Sequence, residues 1–131
     1  MAEAVTQKRK RPKNLDLTTI KLPLPGFVSI LHRVSGAGLF LMLPVLLWLF
    51  QMSVATPESY ETFRAITSNL LFKLLLLGLI WAYIHHFCAG IRFLLLDLHV
   101  GIELAAARNS AKAVLAVSIP VTFLIWGVVV W

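Results

Sequence analysis

Charge and cysteine are both scarce in this chain. Of its 131 residues only 14% are charged, while 59% are hydrophobic. A soluble domain carries about 25% charged and roughly 45–50% apolar residues. A small soluble domain also leaves much of its surface in water, so this composition has nowhere to hide its apolar groups. An ordinary cytosolic enzyme and a disordered tail are therefore excluded. The single cysteine, Cys88, rules out an intrachain disulfide. With no C-x-x-C-H motif there is no covalently attached c-type haem, and with no cysteine cluster there is no iron–sulfur centre. Cys88 lies in an apolar run and reads as a small hydrophobe. Acidic residues are the scarcer charge, 6 against 12 Lys and Arg, for a net charge of +6. On a soluble chain that balance would suggest nucleic acid. On a membrane chain basic residues set topology, so no nucleic-acid partner is expected. No cleaved signal peptide is expected either, because residues 1–22 are polar and basic and the apolar stretch that follows is too long.

What the chain does have is three long stretches without formal charge: Val34–Met52, Leu74–Ile91 and Ala113–Trp131. Each approaches the ~20 residues that cross the hydrocarbon core as a helix. Backbone groups in lipid must be satisfied within the span, so helices are expected. The predicted fold is an all-α membrane protein, with helices at about 27–52, 70–96 and 111–131 following a basic segment at 1–26. Pro44 and Pro120 fall inside the first and third helices, and kinks are expected at both. Gly36 and Gly38 remove side chains near the start of the first helix, so a close approach to its backbone is expected there. Thr56-Pro57-Glu58 reads as the N-cap and first turn of a short surface helix reaching Ile66. The first 22 residues hold Lys8, Arg9, Lys10, Arg11, Lys13 and Lys21. With three spans these share a side with Arg33, Arg92, Arg108 and Lys112, leaving Arg64 and Lys73 opposite. The asymmetry predicts a cytoplasmic N-terminus and an external C-terminus.

Ionisable residues at membrane depth are costly and by default mark function. Here they are His32, Arg33, His85, His86, Arg92 and Asp97, with the hydroxyl of Ser29 beside them. His85 and His86 are adjacent and point about 100° apart, so they cannot both face one site. His86 shares a face with Gly90, Phe93 and Asp97, and His85 with Arg92. A histidine one turn from a glycine suits a flat cofactor, and haem iron is commonly held by an axial His. The other reading is a histidine that hydrogen-bonds a neighbouring helix. Ser29 and Arg33 are four apart on one face and could form a small polar pocket. Arg33 could equally snorkel to the headgroups. Counted from the helix ends, Arg33 lies about 9 Å and His86 about 16 Å from the cytoplasmic face. A group held at His86 would therefore have its polar edge near His32 and Arg33.

Two motifs carry a resemblance. Arg11-Pro12, Asn14-Leu15-Asp16-Leu17, a proline, and then Ser29-Ile30-Leu31-His32-Arg33-x-Ser35-Gly36 resemble the opening of the cytochrome b subunit of succinate dehydrogenase. His86-x-x-x-Gly90-Ile91-Arg92-x-x-x-x-Asp97 resembles that subunit's second signature. The resemblance implies a membrane anchor within a heteromeric helical bundle around haem b, set in the inner membrane of a bacterium. It implies three partners: a second membrane anchor subunit, an iron–sulfur subunit and a flavoprotein subunit. FAD and iron–sulfur clusters would lie on those partners and ubiquinone would be the substrate; this chain would have no succinate-oxidising site of its own. Carried over, His86 is the axial ligand of the haem iron. Ser29 and Arg33 line the quinone site, and His32 and Arg33 lie near the haem propionates. The sequence departs from some relatives at Phe93, where they carry a histidine, which puts a propionate-side contact in doubt. A fumarate reductase anchor and a small non-redox membrane protein are the alternative readings.

Overall fold

A computed structural model describes residues 20–130 of the chain. The basic run at 8–13, the Arg11-Pro12 and Asn14–Leu17 parts of the first motif, and Trp131 lie outside the described residues. Four helices follow one another: α1 (Leu24–Ala55), α2 (Pro57–Ser68), α3 (Leu70–Asp97) and α4 (Leu104–Val130). α1, α3 and α4 are long and apolar enough to cross a membrane. At 1.5 Å per residue the 28 residues of α3 extend about 42 Å, the full thickness of a bilayer with its headgroups.

Local chemistry sets the breaks. Pro23 and Pro25 open α1, where a missing N–H costs nothing. Thr56 ends α1 and caps α2. Its hydroxyl accepts from Ser59 N at 3.1 Å, and Ser59 Oγ accepts from Thr56 N at 3.0 Å, a reciprocal capping box. Asn69 then caps α3, its side-chain oxygen accepting from Leu71 N at 2.8 Å. The turn between α3 and α4 places His99 and Gly101 at positive φ, 59° and 75°. Glycine adopts that conformation freely, and histidine does so at modest cost.

Helix bounds differ from the sequence expectation in a consistent direction. α1 starts three residues earlier and ends three later than 27–52, and α4 begins at Leu104 rather than near 111. The expectation followed the loss of charge. The backbone follows caps and prolines, and Ala-rich 105–107 together with Arg108 are good helix formers. α1 continues through Pro44 and α4 through Pro120.

The chain's own core is small. Val28, Ala89, Ala111 and Val114 form it where α1, α3 and α4 meet. Two polar anchors fix α3 against α4. Near the hairpin turn Arg92 Nε donates to Ser110 Oγ at 3.0 Å and Arg92 Nη2 to the Ala107 carbonyl at 3.2 Å. Near the opposite end Trp126 Nε1 donates to the Lys73 carbonyl at 2.9 Å. Most large apolar side chains, among them Phe40, Leu41 and Val128, remain exposed. That surface suits lipid and partner helices, not water.

Candidate functional site: a histidine cradle between α1 and α3

The two adjacent histidines of α3 have different fates. His85 is fully buried, stacked against Trp81 at a 5.1 Å centroid distance, and neither ring nitrogen has a hydrogen-bond partner. It lies one helical turn from core residue Ala89, on the face that closes over the chain's own interior. His86 is half-buried at the α1–α3 seam. Its ring is parallel to that of His32, with centroids 4.2 Å apart and planes within 8°. Of the two, only His86 retains access from outside the chain.

Hydrogen bonding selects the tautomer of a neutral His86 ring. Nδ1 lies 3.0 Å from the His32 carbonyl oxygen. A carbonyl only accepts, so Nδ1 carries the proton and donates. Ser35 Oγ lies 3.3 Å from the same nitrogen and donates its own proton to the His32 carbonyl at 2.9 Å. The Ser35 oxygen is therefore the second acceptor for Nδ1–H. Because Nδ1 is occupied in this way, Nε2 of the neutral ring keeps its lone pair. This is how histidine ligands are oriented: one nitrogen is held by a carbonyl and the other is left to bind metal.

Backbone proximity makes this possible. A Cβ added at Gly36 would lie 2.6 Å from His86 Cε1 and 3.1 Å from Nδ1. The glycine four residues after His86 plays a looser part: a Cβ at Gly90 would meet His32 Nε2 at 3.7 Å, an ordinary contact. The sequence expectation for Gly90 concerns room for a flat cofactor; room for the His86 imidazole itself is made by Gly36, one helix away. Phe93 lies against the other side of His32, with centroids 5.1 Å apart and planes tilted 51°. The residue that departs from the motif thus packs His32 instead of offering it a polar partner.

The sequence-predicted residues fall into two groups. His32 and His86 come together, joined by Ser35, quoted in a motif without a role, and by Gly36, where the sequence predicts a close approach to the α1 backbone. Their signal was present: a small hydroxyl and a glycine three and four residues after His32 lie one turn further along the helix. Ser29 is half-buried and Arg33 exposed, one turn apart on α1. Among the described residues they are not hydrogen-bonded to each other. Depth explains the meeting of His32 and His86. With α1 starting at Leu24, His32 is about 12 Å inside its helix and His86 about 16 Å inside α3. Side chains span the difference.

The fold and this cradle define a membrane-embedded subunit with a half-open imidazole between two spanning helices. Comparison with known proteins makes the assignment specific. A family model described as succinate dehydrogenase/fumarate reductase transmembrane subunit matches residues 7–125. The chain belongs to that family. The succinate dehydrogenase cytochrome b556 subunit of Coxiella burnetii is 37% identical over 93% of this chain and 98% of its own length. Those of Rickettsia prowazekii and Paracoccus denitrificans are 30% and 28% identical, over 89% and 88% of this chain and 91% and 89% of their own lengths.

Proposed function

We propose that this chain is the haem- and quinone-binding membrane anchor of a succinate dehydrogenase, with His86 as an axial ligand of haem b. The observation that carries this reading is the anchored Nδ1 of His86, which leaves Nε2 as a neutral donor at a half-open position. Among the described residues no cluster of three or more His, Cys, Asp or Glu could hold a bare metal ion. A single imidazole suits one axial position of a haem, with the second ligand supplied by the other anchor subunit. The haem supplies one-electron redox chemistry; the protein sets its ligation, burial and surrounding charge.

In this reading Ser29 and Arg33 hold ubiquinone. The hydroxyl and the guanidinium fork donate to a quinone oxygen and stabilise the negative charge that develops as electrons arrive. His32 and Arg33 also serve the propionate side of the haem. The partner iron–sulfur and flavoprotein subunits carry the clusters and FAD, and they dock on the cytoplasmic side. That side holds the basic N-terminal segment, residues 1–26, and the α3–α4 turn; the C-terminus lies outside. The fumarate reductase alternative draws less support, because the relatives quoted above are succinate dehydrogenase subunits.

Two activities of the assembled complex test the proposal. Arg33→Leu should lower quinone reduction by roughly tenfold to hundredfold, the worth of a hydrogen bond to a charging group. Ser29→Ala should lower it less. Succinate oxidation by a soluble dye, which collects electrons before the membrane, should stay at the parental rate in both. Parental quinone reduction in both fully assembled variants would refute the quinone assignment.

A further inference from the structure

The α3–α4 hairpin contains a second feature, on the side of α3 turned away from the histidine cradle. A cavity of about 430 Å³ runs along the helix seam from Val100 and Gly101 at the turn to Cys88 and Val117. Its mouth is rimmed by Ile91, Leu95, Val100 and Val117, all exposed. One charged residue stands in this apolar wall. Arg92 is 5% exposed, and its hydrogen bonds go to the neutral Ser110 hydroxyl and the Ala107 carbonyl. Among the described residues it forms no ion pair.

A buried guanidinium without an anion is costly, because neutral hydrogen bonds offset only part of its lost hydration. The depth of Arg92 indicates where an anion would come from. It lies five residues from the end of α3, about 7–8 Å along the axis. If α3 spans the whole bilayer, that depth is the boundary between headgroups and hydrocarbon, since the headgroup layer is about 5–8 Å on each side. Below that level the slot is apolar. From Ser110 to Val117 it extends about 10 Å, roughly two-thirds of the ~15 Å depth of one leaflet.

We propose that this slot is a site for one anionic phospholipid, its acyl chain lying between α3 and α4 and its phosphate paired with Arg92. The charge at the headgroup level selects an anionic lipid, and the apolar groove below it takes the upper part of one chain of the same leaflet. Ubiquinone fits less well, because its neutral headgroup would leave Arg92 without a counter-charge. The inference does not depend on the identity of the haem ligand, because it rests on a different face of α3.

The test uses the intact purified complex. Ala113 is an exposed residue lining the slot, so Ala113→Phe fills it without disturbing the core. Arg92→Gln removes the charge and keeps an amide donor. After exhaustive detergent exchange, phospholipid per complex is measured by mass spectrometry of the extract. The stripped complexes are then offered vesicles of phosphatidylglycerol or of phosphatidylcholine. The parent should retain about one more anionic phospholipid than either variant. It should reload from phosphatidylglycerol roughly fivefold more tightly than from phosphatidylcholine, whose choline cation competes with Arg92 for the phosphate. Equal retention in parent and Ala113→Phe, equal reloading from the two lipids, or recovery of ubiquinone in place of phospholipid would each overturn the proposal.

Discussion

Replacing Gly36 by alanine adds one methyl group at the point where α1 and α3 come closest to the cradle. That methyl would sit 2.6 Å from His86 Cε1 and 3.1 Å from Nδ1. Comfortable carbon–carbon separation is about 3.5–4.0 Å, so the ring must move by roughly 1 Å. The movement stretches the 3.0 Å bond from Nδ1 to the His32 carbonyl and disturbs the 4.2 Å stack on His32. Overpacking of this kind costs about 1–3 kcal/mol. If that cost falls on haem binding, affinity drops by roughly fivefold to 150-fold. The assay is haem per assembled complex, from the pyridine haemochrome spectrum, followed by the rate at which haem is lost to an apo-haem acceptor. Gly78 on α3 is the control. Nothing lies within 4 Å of a Cβ added there, so Gly78→Ala should behave as the parent. Equal haem content and loss rates in Gly36→Ala, Gly78→Ala and the parent would refute the view that the α1 backbone positions the ligand.

Other outcomes follow from the same geometry. Ser35→Ala removes one acceptor of Nδ1–H and leaves the His32 carbonyl, so haem loss should accelerate by less than roughly tenfold, in keeping with a net 0.5–1.5 kcal/mol hydrogen bond; loss of all haem would show that Ser35, not the carbonyl, is the main anchor. Trp126→Phe removes the indole donor to the Lys73 carbonyl and should lower the thermal midpoint of the complex with the haem spectrum unchanged, read by a melting scan. A reporter fused after Trp131 should read as external and one inserted near Arg108 as cytoplasmic; the reverse pattern would contradict the ten-to-two split of basic residues.

The spans were legible because lipid imposes a coarse rule that composition obeys. Charge-free runs near 20 residues identified α1, α3 and α4, and the Thr56-Pro57 signal identified α2. Their ends were less legible, since helices stop at caps such as Asn69 and continue past charges such as Arg108. Helical periodicity separated His85 from His86 correctly into two faces. It could not say which face closes over the chain's interior, because that depends on Val28 of α1 and on Ala111 and Val114 of α4. The same limit explains the glycine. Gly36 read as a point of close approach, but the sequence could not name the group that approaches it, which is His86 across the helix seam, 50 residues away. Arg92 read as a basic residue of the cytoplasmic side and as an ionisable group at membrane depth on the face of His85; its burial over an apolar slot emerges only when α4 folds back on α3.

In the proposed function His86, with Nδ1 held by α1, ligates haem iron and buried His85 does not. The most direct measurement is the reduced-minus-oxidised absorption spectrum of the purified complex carrying either His85→Ala or His86→Ala, normalised to assembled protein. A b-type signal should survive the His85 substitution and disappear with the His86 substitution. A signal that persists without His86 and vanishes without His85 would contradict it.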